Sequence, residues 1–141
     1  MSVADLKART QQIFDLFNMH DASAAAAIFA ADAELHDSAV ARPIVGPQQI
    51  AGVYAKHFSA IPDSHVHVDR MVAEGDTVVV EWTLVGTHRG RMMGIPATGK
   101  HVNFKGISFI RYRANMVVAD MRVWDMAGLL RQIGLLPPQE S

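Results

Sequence analysis

A carboxylate closing an apolar strand is a candidate proton acceptor, because leaving water raises its affinity for a proton. Asp125 fits that description. It ends the run Met116-Val117-Val118-Ala119-Asp120-Met121-Arg122-Val123-Trp124 and stands directly before the apolar helical stretch Met126 to Gly134. Strand side chains alternate between two faces. Counted from the odd positions, Val117, Ala119, Met121 and Val123 make an apolar inner face that Asp125 continues, and Asp120 and Arg122 fall on the solvent side. The competing reading is that Asp125 caps the following helix, as aspartate commonly does. His88 holds a similar place, following Val78, Val80, Trp82, Leu84 and Gly86 at alternate positions. Converging strand ends would point His88 and Asp125 into one cavity as an acid/base pair. A lone inward histidine, by contrast, is an ordinary satisfied core residue. Asp37 is a third candidate, in phase with Ala33 and Leu35; its alternative role is an Asx-type turn into the loop at Pro43.

Other patterns carry less. His65, His67 and Asp69 alternate like a row of metal ligands, but Val66, Val68 and Val72 make the better core face and leave that row outside. The loop from Arg89 to Lys100 has Gly90, Gly94 and Gly99 around Met92 and Met93, without the Lys-Ser/Thr of a phosphate loop. It reads as a flexible apolar lid or as a plain hairpin connection.

The elements that must position these groups follow from periodicity. Leu6, Thr10, Ile13, Leu16 and Phe17 mark a first helix. Asp21 or Ser23 opens an alanine-rich helix over Ala24 to Ala30, and Asp32 to Asp37 is short and extended. Pro47 starts a third helix over Gln48 to Phe58. After Ile61-Pro62-Asp63 the period becomes that of strands: His65 to Ala73, Thr77 to His88, His101 to Arg113, then the terminal run. Turns at Glu74-Gly75-Asp76 and Arg113-Ala114-Asn115 imply antiparallel hairpins. Helices, then strands, then a short closing helix predict an α+β fold: N-terminal helices packed on a curved, mostly antiparallel sheet rolled into a cone-shaped barrel with a small-molecule pocket at its mouth.

The 141 residues, half of them hydrophobic, fit one domain over 1–141, and the net charge of −1 argues against nucleic acid or an anionic membrane as partner. With no cysteine, a thiolate nucleophile or zinc-thiolate site is excluded. Neither a signal pattern nor an apolar run long enough for a bilayer stands out, so a cytoplasmic location is expected.

Gly86-Thr87-His88-Arg89-Gly90, Gly94-Ile95-Pro96-Ala97-Thr98-Gly99-Lys100, Phe104-Lys105-Gly106 and Trp124-Asp125-Met126-Ala127-Gly128-Leu129-Leu130 together resemble the SnoaL-like polyketide cyclases of the nuclear transport factor 2-like superfamily. The resemblance implies a cone-shaped α+β fold, a homodimer formed through the outer sheet face or a higher homo-oligomer, and a small hydrophobic ligand. It also implies an intramolecular aldol ring closure that needs no metal or cofactor. Asp125 then falls at the acid/base position, with His88 hydrogen-bonding it or the developing oxyanion. Asp37 resembles the general base of the related ketosteroid isomerases, although Ser38 stands where those have proline. Trp82, Met92, Met93, Phe104, Met121, Phe17 and Tyr54 are the expected substrate-binding lining. Because this cone also hosts isomerases, dehydratases, epoxide hydrolases and non-enzymes, two alternatives stay open. One is an isomerase or dehydratase using Asp37; the other is a non-catalytic module that binds an apolar molecule.

Overall fold

The chain turns from helical to extended periodicity after Ile61, and the computed structural model, which describes residues 1–140, follows that division apart from two strands that precede it. Helix α1 spans Val3–Asn18 and buries Leu6, Thr10 and Ile13. It starts with a reciprocal cap: Ser2 Oγ accepts from the Asp5 amide, and the Asp5 carboxylate accepts from the Ser2 amide. Helix α2 is shorter than its alanines suggest, Ala22–Ala26. Phe29 and Ala30 leave it for strand β1, Phe29–Asp37, where Phe29 pairs with Val117. Tertiary pairing overrides the helix propensity of alanine here. Helix α3 runs Gly46–Ala60 with Pro47 in its first turn. The short strand β2, Ile44–Val45, escaped the sequence reading.

Strands β3 (His65–Glu74), β4 (Thr77–Thr87), β5 (His101–Arg113) and β6 (Met116–Trp124) form successive antiparallel pairs. The sheet has six strands in the order β2-β1-β6-β5-β4-β3, with β1 and β6 parallel. Helix α4, Met126–Gln132, closes the chain against β5. The four expected strands are therefore joined by β2 and by β1, whose second half is the extended piece expected over Asp32 to Asp37, and one pairing is parallel. No helix among the described residues is long and apolar enough to cross a membrane.

Two bulges decide which side chains face inward. In β5–β6, Arg111 pairs with Ala119 but Tyr112 pairs with Val117, so Val118 is an extra residue. An inserted residue reverses the alternation beyond it. From there on, β6 turns its even positions inward: Asp120, Arg122 and Trp124 pair with Ile110, Ser108 and Gly106 on the core face of β5. Met121 and Val123 point outward, at 48% and 46% exposure. The phase expected from the sequence is thus the reverse of the observed one, and Met121 leaves the expected lining. In β3, Val68 pairs with Trp82 but Arg70 with Glu81, so Asp69 is extra. Val72 accordingly lies on the solvent side, while Met71 and Ala73 pack on the core. His65, His67 and Asp69 are all exposed, and no cluster of metal-ligating side chains occurs among the described residues.

Candidate active site

Between the helices and the concave face of the sheet lies a cavity of about 760 Å³. That is within the range of roughly 300–1,000 Å³ typical for small-molecule sites. Ile13, Phe14 and Phe17 of α1 and Val53, Tyr54 and His57 of α3 form one wall. Trp82, Leu84, Phe104, Ser108, Ile110, Asp120, Arg122 and Trp124 form the sheet wall. The wall is mainly apolar, with a few polar groups concentrated on β6 and its neighbours.

Those polar groups form a chain. Asp37, at the end of β1, is in register with Arg122 of β6. Arg122 Nε donates to Asp37 Oδ2 at 2.7 Å, and Trp124 Nε1 donates to Asp37 Oδ1 at 2.9 Å. The Ala39 amide adds a third bond to Oδ1 at 2.8 Å. The pair is sheltered, with side-chain exposures of 20% for Arg122 and 9% for Asp37. Burial pushes the Asp37 carboxyl up, but the Arg122 charge and these hydrogen bonds outweigh it and hold Asp37 below the usual carboxylate range.

Asp120 differs. It is 5% exposed, and its Oδ1 has no hydrogen-bond partner. Burial pushes its pKa up to about 6; the Arg122 charge lowers it and the Asp37 charge raises it. The two carboxylates that feel the Arg122 charge are thus driven apart, one bonded to it and held ionised, the other unbonded and raised toward neutrality. Such divergence separates an anchoring carboxylate from an acid/base one. Around them, burial and the Asp120 charge push the Tyr54 phenol well above its ordinary value, keeping it a neutral donor. Burial lowers His57 to about 4, assisted by the charges of Arg122 and His20, so its imidazole is neutral at pH 7. Ser108 Oγ accepts from Trp82 Nε1 at 3.0 Å, which fixes the indole against the cavity.

The residues singled out in the sequence separate. Asp37 lies in the site, and Trp82, Met92, Met93, Phe104, Phe17 and Tyr54 border the cavity. Asp125 and His88 do not share it. Asp125 is exposed and caps α4, accepting from the Gly128 amide at 2.9 Å. A Cβ on residue 128 would collide with the Asp125 carboxylate, so the Asp-x-x-Gly spacing is a cap and the glycine that admits it. His88 is fully buried and is not part of the cavity lining; its Nδ1 lies 3.0 Å from Thr98 Oγ1 and its amide bonds the Lys100 carbonyl. It ties down the loop from Arg89 to Lys100 instead of facing Asp125. Asp120, Arg122, Trp124, His57 and Ser108 were missed. The available signal was the alternation Asp120-x-Arg122-x-Trp124 itself, which places three polar groups on one face once the phase is reversed.

Replacing Asp125 with Asn, also a favoured cap, should change stability by about 0.5 kcal/mol or less, and replacing it with Ala should cost about 1 kcal/mol. Urea denaturation measures both. A loss of several kcal/mol with Asn would show that the carboxylate does more than cap.

A concave sheet, a covering pair of helices and an apolar cavity with a buried carboxylate define an α+β cone built around a small-molecule pocket. A family model described as SnoaL-like polyketide cyclase matches residues 7–133, and the chain belongs to that family. Solved structures agree with the fold, which is nuclear transport factor 2-like. AclR from Streptomyces galilaeus, provisionally assigned as a hydroxylase, superposes with a TM-score of 0.88 at 26% identity, over 99% of this chain and 91% of that one. IdmH from Streptomyces antibioticus, provisionally a polyketide cyclase, gives 0.78 at 24% identity, over 91% and 97%. A protein of ketosteroid isomerase-like fold from Catenulispora acidiphila, in complex with trimethylamine, gives 0.80 at 21% identity, over 94% and 97%. No curated protein sequence matches the chain.

Proposed function

We propose that this protein is a cytoplasmic acid/base enzyme that acts on a small hydrophobic carbonyl or ester compound through Asp120, working with side chains alone. The observation that carries this reading is the buried Asp120 carboxylate, its Oδ1 without a hydrogen-bond partner, on the wall of an apolar cavity beside an arginine already neutralised by Asp37. A carboxylate of pKa about 6 is mostly ionised at pH 7 and is more basic than a solvated one. It takes an α-proton flanked by carbonyl groups. The Arg122 guanidinium and the neutral Tyr54 hydroxyl stabilise the enolate oxygen. In an intramolecular aldol closure, the enolate carbon bonds to a ketone carbon of the same molecule, and protonated Asp120 returns its proton to the new alkoxide. Asp37, acidified and held by three hydrogen bonds, is the anchor for Arg122 and Trp124 in this scheme rather than the base.

The test is hydrogen–deuterium exchange at the α-carbon of an aromatic β-keto ester, followed by proton NMR across pH. The base must be ionised, so the catalysed rate should rise with pH and level off above about 6. A rate that is flat from pH 4 to 8, or no acceleration over buffer, would falsify the assignment of Asp120 as base.

We also propose a homodimer through the outer sheet face. Ile107, Phe109, Met121 and Val123 are exposed at 37% to 48% there, and they form the cross-strand pairs Ile107–Val123 and Phe109–Met121. Light scattering should give twice the mass of one chain; a monomer at micromolar concentration would count against it.

A further inference from the structure

The mouth of the cavity differs in charge from its floor. Its exposed lining residues are Val40, Lys56, Ser59, Arg91, Met93 and Gly94. Two of these are cationic and none is acidic, in a chain of net charge −1. Neither Lys56 nor Arg91 pairs with a carboxylate among the described residues. Deeper in, Arg122 is already matched by Asp37.

The fold also joins the two backbone segments that carry these cations to one cavity. The amides of Arg89 and Gly90 both donate to the carbonyl of Ala60, the last residue of α3, at 3.0 Å. A side chain at residue 90 would collide with the Ser59 backbone, so glycine permits this close joint. Lys56 lies four residues before Ala60, about 6 Å along the helix axis and on the same face. Arg91 follows the joint directly. Its Nη1 donates to the Gly94 carbonyl at 2.6 Å, across a tight turn closed by reciprocal Met92–Ile95 bonds. Met93 and Gly94 take left-handed conformations in that turn. The guanidinium is therefore held at the rim rather than swinging in solvent.

We propose that the substrate is an amphipathic anion: an apolar body with its reacting carbonyl at Asp120 and a carboxylate or similar oxyanion left at the mouth against Lys56 and Arg91. The orientation rests on the acid/base reading of Asp120; the preference for an anion does not. Charge at the rim raises the encounter rate and selects the end that enters last.

The test uses two dyes of nearly the same shape, 1-anilinonaphthalene-8-sulfonate and the uncharged N-phenyl-1-naphthylamine, titrated by fluorescence at low and high salt. Two exposed charge contacts should make the sulfonate bind about tenfold tighter than the neutral dye at low salt. High salt should shrink that ratio. The Lys56→Gln/Arg91→Gln double variant should bring the ratio close to one and leave the neutral dye's Kd within about twofold. Both residues are exposed, so the variant should fold normally. No binding of the sulfonate, equal binding of both dyes by the wild type, or a preference that survives the double substitution would overturn the proposal. The last outcome would place the dye elsewhere, such as the outer sheet face. Asp120→Asn separates the two readings. It should keep the anion preference while losing proton exchange; if exchange persists, the base assignment fails and the anion preference stands alone.

Discussion

Asp120→Asn should lower catalysed α-proton exchange by about 10²–10⁴-fold, the usual contribution of a positioned general base. The same variant should be more stable than the wild type at neutral pH. The sign follows from linkage. Asp120 has a folded-state pKa of about 6 against an ordinary value of 3.8. Below pH 3.8 both folded and unfolded chains are protonated, and burial carries no charge. Between 3.8 and 6 only the folded chain keeps the proton, so stability falls as pH rises. Above 6 the full cost of a buried carboxylate is present, on the order of 3 kcal/mol for a shift of this size. Asparagine removes that slope, since it carries no charge to bury. Urea denaturation should show the gain at pH 7 and its disappearance near pH 3. Normal exchange by the variant would end the mechanism; unchanged stability at pH 7 would mean that Asp120 is better solvated than its 5% exposure indicates.

Arg122→Met should be the most destabilising single change in the site. It keeps the apolar stem but removes the cation that Asp37 bonds at 2.7 Å and that offsets Asp120. Leaving buried charge without its partner costs about 3–5 kcal/mol. Asp37→Asn in the same chain should restore part of the loss, because the stranded carboxylate is then neutral. The loss should also shrink at low pH, where both carboxyls are protonated. A loss under about 1 kcal/mol at pH 7 would mean that water enters the cluster and screens it.

The sequence made the class of fold readable because periods change sharply at Ile61 and the two hairpin turns carry glycine or asparagine. It also brought out Trp82 and Phe104, on the β4–β5 ladder where alternation runs unbroken, and Asp37, in step with Ala33 and Leu35 beyond the irregular start of β1. It misplaced the centre of the site for one local reason. Met116-Val117-Val118-Ala119 is apolar at four successive positions, so either phase buries an apolar side chain. What sets the phase is the pairing of Tyr112 with Val117 and Arg111 with Ala119, a long-range fact about β5. Asp125 then took the inner place that belongs to Asp120, and Arg122 was assigned to water. His88 was correctly placed on an inward phase, but its partner, Thr98, comes from the following loop rather than from a converging strand.

The extra residue at Val118 is slack in the strand, and the pocket wall does not depend on it. Without it, Val117 would still oppose Tyr112 and Ala119 would still oppose Arg111, so the ladder would close into plain alternation with Asp120, Arg122 and Trp124 still turned inward. What anchors those three side chains is the partner strand, not the spacing along their own. A lineage built on this scaffold could therefore gain or shed that one residue and keep the same furniture inside the cone.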